Sequence, residues 1–233
     1  MRGMCGRFVL TTPVSALKEL FQFPETPNLA PRWNVAPTQD IAAVRREEDG
    51  NHLALLRWGL VPHWADDPSI GSRMINARAE TLADKPAFRT AFRHRRCLIP
   101  IDAFYEWKTE GKRKQPYAIR RRDRTPLALA GLWESWPGPK GQPLPTPMQS
   151  ATIVTTGANA VLRPLHDRMP VVVAPGDWDL WLDPGAPLPM VQDLLRPAPD
   201  ADLEAYPVST RVNSVRNDDE SCIVAFDAPP TLF

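Results

Sequence analysis

Arg96-Cys97-Leu98-Ile99-Pro100, then Phe104-Tyr105-Glu106-Trp107-Lys108, then Gln115-Pro116-Tyr117-Ala118-Ile119-Arg120-Arg121 are the runs on which the reading of the fold turns. Each is short and apolar or alternating, and the last two are separated by a Glu110-Gly111-Lys112 turn. Runs of that kind bounded by turn residues read as strands, and two joined so tightly pair antiparallel. Working outward, residues 127–133, 151–156 and 170–173 repeat the strand pattern, and upstream 41–45 and 53–58 form a pair around Glu47-Glu48-Asp49-Gly50. Helical signals are shorter. Thr12 as N-cap, Pro13 at the first helical position and the stripe Val14, Leu17, Leu20, Phe21 predict one helix. Others are expected at 77–82, 86–95, 177–182 and 189–195, while Asn34-Val35-Ala36-Pro37-Thr38 reads as a loop. The order is neither alternating βαβ nor purely β. It predicts an α+β single domain with a curved, largely antiparallel, barrel-like β-sheet core flanked by short helices. The domain is expected over 4–233, with 1–3 as extra residues and the Pro- and Gly-dense 137–147 as a flexible loop.

The bulk numbers exclude more than they assert. Lys+Arg 28 against Asp+Glu 27 leaves a net charge of +1, so any nucleic-acid site must be a local patch rather than a global field. No apolar run approaches the ~18 residues of a membrane span, and a cytoplasmic protein is expected. Cys5, Cys97 and Cys222 are odd in number and lack C-x-x-C spacing, against a disulfide framework and against a metal knuckle. Cys97 and Cys222 are expected in the core.

Cys5 is different because of its place. If the residues before it are lost, a thiol and a free α-amine share one carbon skeleton. The amine titrates near ~7.7–8.0 and the thiol near ~8.5, so both are available near neutrality. Such an aminothiol condenses with an aldehyde to an imine, and the thiol then closes a five-membered thiazolidine. The ordinary alternative, a buried cysteine near a ragged terminus, is favoured on Cys5 alone.

Three other segments carry candidate chemistry. In Phe104-Tyr105-Glu106-Trp107 the strand alternation puts Tyr105 and Trp107 on one side and Glu106 on the other, where partial burial would suit a general acid. His166, in His166-Asp167-Arg168-Met169-Pro170, is placed to shuttle protons, or simply to hold a turn. Asn76 and Arg78 enter a predicted helix, where an arginine suits phosphate and an asparagine can orient an amine. Arg93-His94-Arg95-Arg96 and Arg120-Arg121-Arg122 are basic clusters, and Trp58 and Trp64 bracket Val61-Pro62-His63, the two ingredients of a single-strand path. With eight tryptophans, several must be core.

Cys5-Gly6-Arg7-Phe8, Asn34-Val35-Ala36-Pro37-Thr38, Arg57-Trp58-Gly59-Leu60-Val61-Pro62, Asn76-Ala77-Arg78-Ala79-Glu80-Thr81, Cys97-Leu98-Ile99-Pro100, Phe104-Tyr105-Glu106-Trp107, Ala130-Gly131-Leu132-Trp133 and His166-Asp167-Arg168-Met169-Pro170 occur in this order. Together they closely resemble the SOS-response-associated peptidase family, the abasic-site processing proteins. The resemblance implies a mature N-terminal cysteine that captures the aldehyde of an abasic site in single-stranded DNA. It implies Cys5 as nucleophile, Asn76 positioning its amine, Arg78 on the phosphate beside the lesion, and Glu106 and His166 managing protons. It further implies Arg7, Pro37, Trp64, Ser209, Asn213 and Asn217 along the DNA path, autoproteolytic release of the initiator methionine, and a lyase side reaction. No cofactor and no metal are implied; a monomer is expected, nucleoid-associated when bound to DNA.

Two departures stand out. Met1-Arg2-Gly3-Met4 precedes Cys5, so either translation starts at Met4, the favoured reading, or these residues are cut away. Ala103 stands where the family commonly has glycine. Two other readings compete with covalent capture: a peptidase acting on other proteins through Cys5 and His166, and a non-catalytic reader of modified or single-stranded DNA. Replacing Cys5 by alanine separates the reader from the other two.

Overall fold

The computed structural model of the protein describes residues 6–111 and 113–226. In chain order the main elements are β1 (Phe8–Leu10), α1 (Val14–Phe21), β2 (Arg32–Val35), β3 (Asp40–Glu47), β4 (Gly50–Trp58), β5 (Asn76–Arg78), α2 (Arg89–His94), β6 (Arg96–Ile101), β7 (Ala103–Glu110), β8 (Arg113–Arg121), β9 (Leu127–Trp136), β10 (Met148–Gly157), β11 (Arg168–Pro170), α3 (Trp178–Leu182), α4 (Leu188–Asp193) and β12 (Leu203–Pro207). They form two sheets. One runs β12-β8-β7-β1-β2; in the other the pairings β10–β4, β4–β3, β3–β6, β6–β9 and β9–β10 return to their start. Five strands therefore close into a ring, which removes their free edges. The α+β class with a curled, mainly antiparallel core is as the sequence predicts; the exceptions are β4 and β5, which run parallel to β10.

Side chains alternate along each strand, and that alternation creates three layers. One face of the ring, through Ala43, Leu56, Trp58, Ile99, Leu129 and Ile153, packs against Phe8, Phe104 and Ile119 of the open sheet. The Phe8 and Trp58 rings meet across this inter-sheet layer at 5.1 Å between centroids. The other face, through Val44, Leu98, Leu132 and Val154, is covered by the helices, with Leu17 and Phe21 from α1 and Trp181 from α3. Full burial of each such side chain stabilises by about 1.5–3 kcal/mol. The open sheet's outer face, through Val9, Tyr105 and Ala118, is closed by Val208, Val212 and Cys222. Cys97 and Cys222 are core residues, and burial pushes the Cys97 thiol up to about 12.

Local details correct several expectations. Pro13, not Thr12, is the N-cap of α1, because the Thr12 hydroxyl donates to Asp102 Oδ1 at 2.5 Å. Residues 77–82 are not a helix. Asn76–Arg78 is a strand, held by pairing with β10, and only Ala79–Thr81 forms a 3-10 turn. Residues 34–35, read as loop, end β2, and the strands β1 and β12 were not among the expected elements. Residues 137–147 contain neither helix nor strand.

Two glycines make the crossing from β4 to β5 possible. A Cβ on Gly59, where φ is +126°, would lie 2.6 Å from Gly71 O, and one on Gly71 would lie 2.5 Å from Gly59 O. Only backbone fits between them. The close approach brings 60–74 back along β10, so that Leu60 N–H donates to Met74 O and β5 starts in register.

Candidate active site

β10 organises one half of the site. Asn76, Ala77 and Arg78 pair with Ile153, Val154 and Thr155. Ala77 and Val154 belong to the helix-covered layer while Ile153 belongs to the inter-sheet layer. Alternation therefore carries Asn76 and Arg78 on the inter-sheet face. Asn76 is half-buried and Arg78 exposed. Along the other edge of β10, Gly157, Thr156 and Thr155 pair with Arg168, Met169 and Pro170.

An ion pair ties these two motifs together although they lie far apart in the chain. Arg168 grips Glu80 with Nη1 at 2.7 Å from Oε1 and Nη2 at 2.9 Å from Oε2, and Nη2 also donates to Thr155 O at 2.6 Å. The Arg168 hydrogen bonds, offset in part by desolvation, hold the Glu80 carboxyl below its ordinary pKa, with Arg78 adding a weaker pull. A bidentate arginine fixes orientation as well as position. His166 stands at the mouth of β11, mostly buried, with Nδ1 2.8 Å from Asp167 Oδ1 and accepting from Arg168 N–H at 3.1 Å.

The other half comes from the open sheet. Phe8 pairs with Phe104 and Val9 with Ala103, and Tyr105 N–H donates to Arg7 O at 3.0 Å. Continued outward, that register sets Gly6 level with Glu106. Cys5 lies outside the described residues. Glu106 is 3% exposed, on the same face as Phe104 and opposite to Tyr105 and Trp107, which join the outer layer as the alternation predicts. Tyr117 is its cross-strand partner. Tyr117 in turn shares a groove with Pro164 and Leu165, the residues just before His166. The neighbours of Glu106 and of His166 thus face one another.

The residues expected along a DNA path fall into separate groups. Arg7 Nη1 donates to Asn34 Oδ1 at 3.0 Å and to Val212 O at 2.9 Å, and burial lowers its pKa. Asn213 accepts from Trp107 Nε1 at 2.7 Å, Asn217 Nδ2 donates to Arg211 O at 2.7 Å, and Ser209 caps the turn of 210–213 through Arg211 N–H. This group lines the outer side of the open sheet, behind Glu106. Pro37 is half-buried in the turn after β2. Trp64 is 51% exposed and shares a groove with His63 and residues 137–141.

Of the basic clusters that hinted at a nucleic-acid path, four arginines are held in structural contacts. Arg96 is buried and donates to the carbonyls of Phe92, Arg93, Trp181 and Asp183; Arg95 pairs with Glu134, Arg120 with Glu204, and Arg121 with Asp123. Trp58, Trp136 and Trp181 are core. Sequence reasoning missed Asn34, whose Nδ2 serves Ser214 O at 3.0 Å and Asn217 O at 2.7 Å, and Asp218, whose carboxylate takes Trp33 N–H, Asn34 N–H and Arg32. Glu80 and Arg168 sat inside quoted motifs, but no local signal joins them. Among the described residues one group has metal-binding spacing, Glu47, Asp49 and His52 on the β3–β4 hairpin. There the His52 ring is hydrogen-bonded by Glu25 at 2.5 Å and Asp49 at 2.8 Å, contacts that raise its pKa and favour a proton on both nitrogens.

The family model described as SOS response associated peptidase (SRAP) matches residues 4–215. The chain belongs to this family. Among SRAP relatives, it is 44% identical over 225 residues to abasic site processing protein YoqW of Bacillus subtilis, covering 94% of this chain and 99% of that one. It is 31% identical over 222 residues to abasic site processing protein YedK of Escherichia coli, covering 92% and 96%. A solved protein from Bacteroides thetaiotaomicron shares the fold at a TM-score of 0.86 and 21% identity, over 95% of this chain and all of that one. No helix among the described residues is long and apolar enough to cross a membrane.

Proposed function

We propose that this protein processes abasic sites in single-stranded DNA by covalent capture. Autoproteolytic hydrolysis of the Met4–Cys5 peptide bond frees the Cys5 α-amine. That amine attacks the C1 aldehyde of the ring-opened sugar, water leaves as the imine forms, and the Cys5 thiol adds to the imine carbon to close a thiazolidine. One water is lost overall. The imine is also the branch point for strand cleavage by β-elimination. Glu106 protonates the sugar ring oxygen during opening, His166 serves the later and reverse proton transfers, Asn76 holds the amine, and Arg78 binds the neighbouring phosphate. The protein works as a cytoplasmic monomer without a metal or cofactor, and Arg7, Pro37, Trp64, Ser209, Asn213 and Asn217 contribute to holding the strand.

The observation that carries this reading is the β1–β7 register, which runs the chain toward its start level with a buried carboxylate. The strand bearing Asn76 and Arg78 and the loop bearing His166 border the same inter-sheet layer. The relatives' names point the same way.

The test is intact mass before and after incubation with a single-stranded oligonucleotide carrying one abasic site. A chain beginning at Cys5 that gains the oligonucleotide mass less one water is expected, and Cys5→Ala should gain nothing. A chain correctly begun at Cys5 that forms no adduct would defeat the proposal.

A further inference from the structure

The groove beside Glu106 has a composition that the capture chemistry does not use. It has a volume of about 490 Å³ and is lined by Lys108 and Tyr117 of the β7–β8 hairpin, Arg122, Pro164 and Leu165, with Glu204 and Ala205 of β12 along one side. We propose that it is a second nucleic-acid subsite, holding the backbone of the single strand that flanks the lesion on one side. This rests on the function proposed above.

Three observations carry it. First, the groove adjoins the site. Tyr117 is the cross-strand partner of Glu106, and Lys108 lies two residues beyond Glu106 on the same face, about 6.7 Å along the strand. That distance is of the order of one step between phosphates in an extended strand. Leu165, on the opposite wall, directly precedes His166.

Second, the charges are arranged for an anion. Glu204, the carboxylate that would oppose one, is taken by Arg120 at 2.8 Å and Arg124 at 3.2 Å. Arg120 and Arg121 are committed to Glu204 and Asp123, so Arg122 is the member of that basic triplet that lines the groove. Lys108 meets Glu110 at 2.8 Å in a largely exposed pair, the kind worth little in water and readily exchanged for a phosphate.

Third, apolar groups line the groove beside the cations. Tyr117, Pro164 and Leu165 line it together with Lys108 and Arg122, so that aromatic and apolar groups occur with cationic ones, the combination that single-strand binding requires.

The experiment compares wild type with Lys108→Glu, Arg122→Glu and the double variant. Arg46→Glu, on the far β3–β4 hairpin, serves as control, and thermal unfolding verifies folding. Two readouts are taken on single-stranded oligonucleotides: crosslink yield with a central abasic site, and noncovalent affinity for undamaged strand across a salt series. The double variant should lose roughly tenfold in affinity at low salt, with a log–log salt slope smaller by about 1.4, from two phosphate contacts at ~0.7 each. Its defect should vanish when the oligonucleotide is cut back on one side of the lesion and persist when cut back on the other. An unchanged affinity and slope in the folded double variant, or a defect equal for both truncations, overturns the subsite. A wild-type protein that binds strand but never crosslinks overturns instead the capture reaction, and leaves the affinity arm to judge the groove.

Discussion

Asn34→Leu tests how β2 and the C-terminal segment are held together. Asn34 is 0% exposed, yet it sits where β2 meets the C-terminal segment. Its Nδ2 donates to the carbonyls of Ser214 and Asn217 at 3.0 and 2.7 Å, with Val212 O further off at 3.2 Å, and its Oδ1 accepts from the Arg7 guanidinium at 3.0 Å. Leucine has the same branched heavy-atom skeleton, is somewhat bulkier, and makes none of these bonds. Two carbonyls lose a donor at roughly 1 kcal/mol each, and the half-buried arginine loses a charged hydrogen bond of about 1.5–3 kcal/mol. The sum is roughly 3–5 kcal/mol. For a chain of this size each kcal/mol moves Tm by about 2–4 °C, so a fall of roughly 6–20 °C is expected. Differential scanning calorimetry measures it, with Asn213→Ala as comparison because that exposed side chain makes one bond to Trp107. Hydrogen exchange in 212–217 should rise in the leucine variant. A fall below about 3 °C, or exchange in 212–217 no faster than in wild type, would refute the view that Asn34 clamps this segment.

Glu106→Gln should slow crosslinking at least tenfold while leaving noncovalent affinity for strand within twofold, as expected for a group that works on protons; equal loss of both, by anisotropy, would deny the acid role. Arg78→Glu should weaken binding itself and reduce the salt slope by about 0.7 or more, and an unchanged slope would remove its phosphate. Gly71→Ala should cost about 1–3 kcal/mol in urea unfolding, since its new methyl would stand 2.5 Å from Gly59 O, and a neutral result would mean that the β4–β5 crossing yields easily. The pH dependence of Glu80 follows from its lowered pKa beside Arg168. A carboxyl depressed on folding stabilises above its unfolded pKa, about 4.3, and that contribution is lost as pH falls through the folded value. Wild type should therefore exceed Glu80→Gln in stability at pH 6 by more than at pH 3, and a difference independent of pH would sink the linkage.

What the sequence determined by itself is the local layer of this protein. Turn residues and alternation located the β7–β8 hairpin, the β3–β4 pair and the face of Glu106, because each depends on neighbours within a few residues. Eight ordered motifs identified the family. Residues 76–82 were misread because the apolar spacing suits a helix, while pairing with β10, 77 residues downstream in the register Asn76–Ile153, holds Asn76–Arg78 extended. The basic clusters hinted at a nucleic-acid path because sequence does not show that Glu134, Glu204 and Asp123 stand opposite Arg95, Arg120 and Arg121. Only the tertiary structure decided that Arg168 clamps Glu80, that Asn34 and Asp218 fasten the C-terminal segment to β2, and that Tyr117, the cross-strand partner of Glu106, lines one groove with Leu165, the residue before His166. The physical reason is range: strand alternation and turns are fixed by adjacent residues, whereas ion pairs and sheet closure are fixed by groups that meet only when distant segments pack.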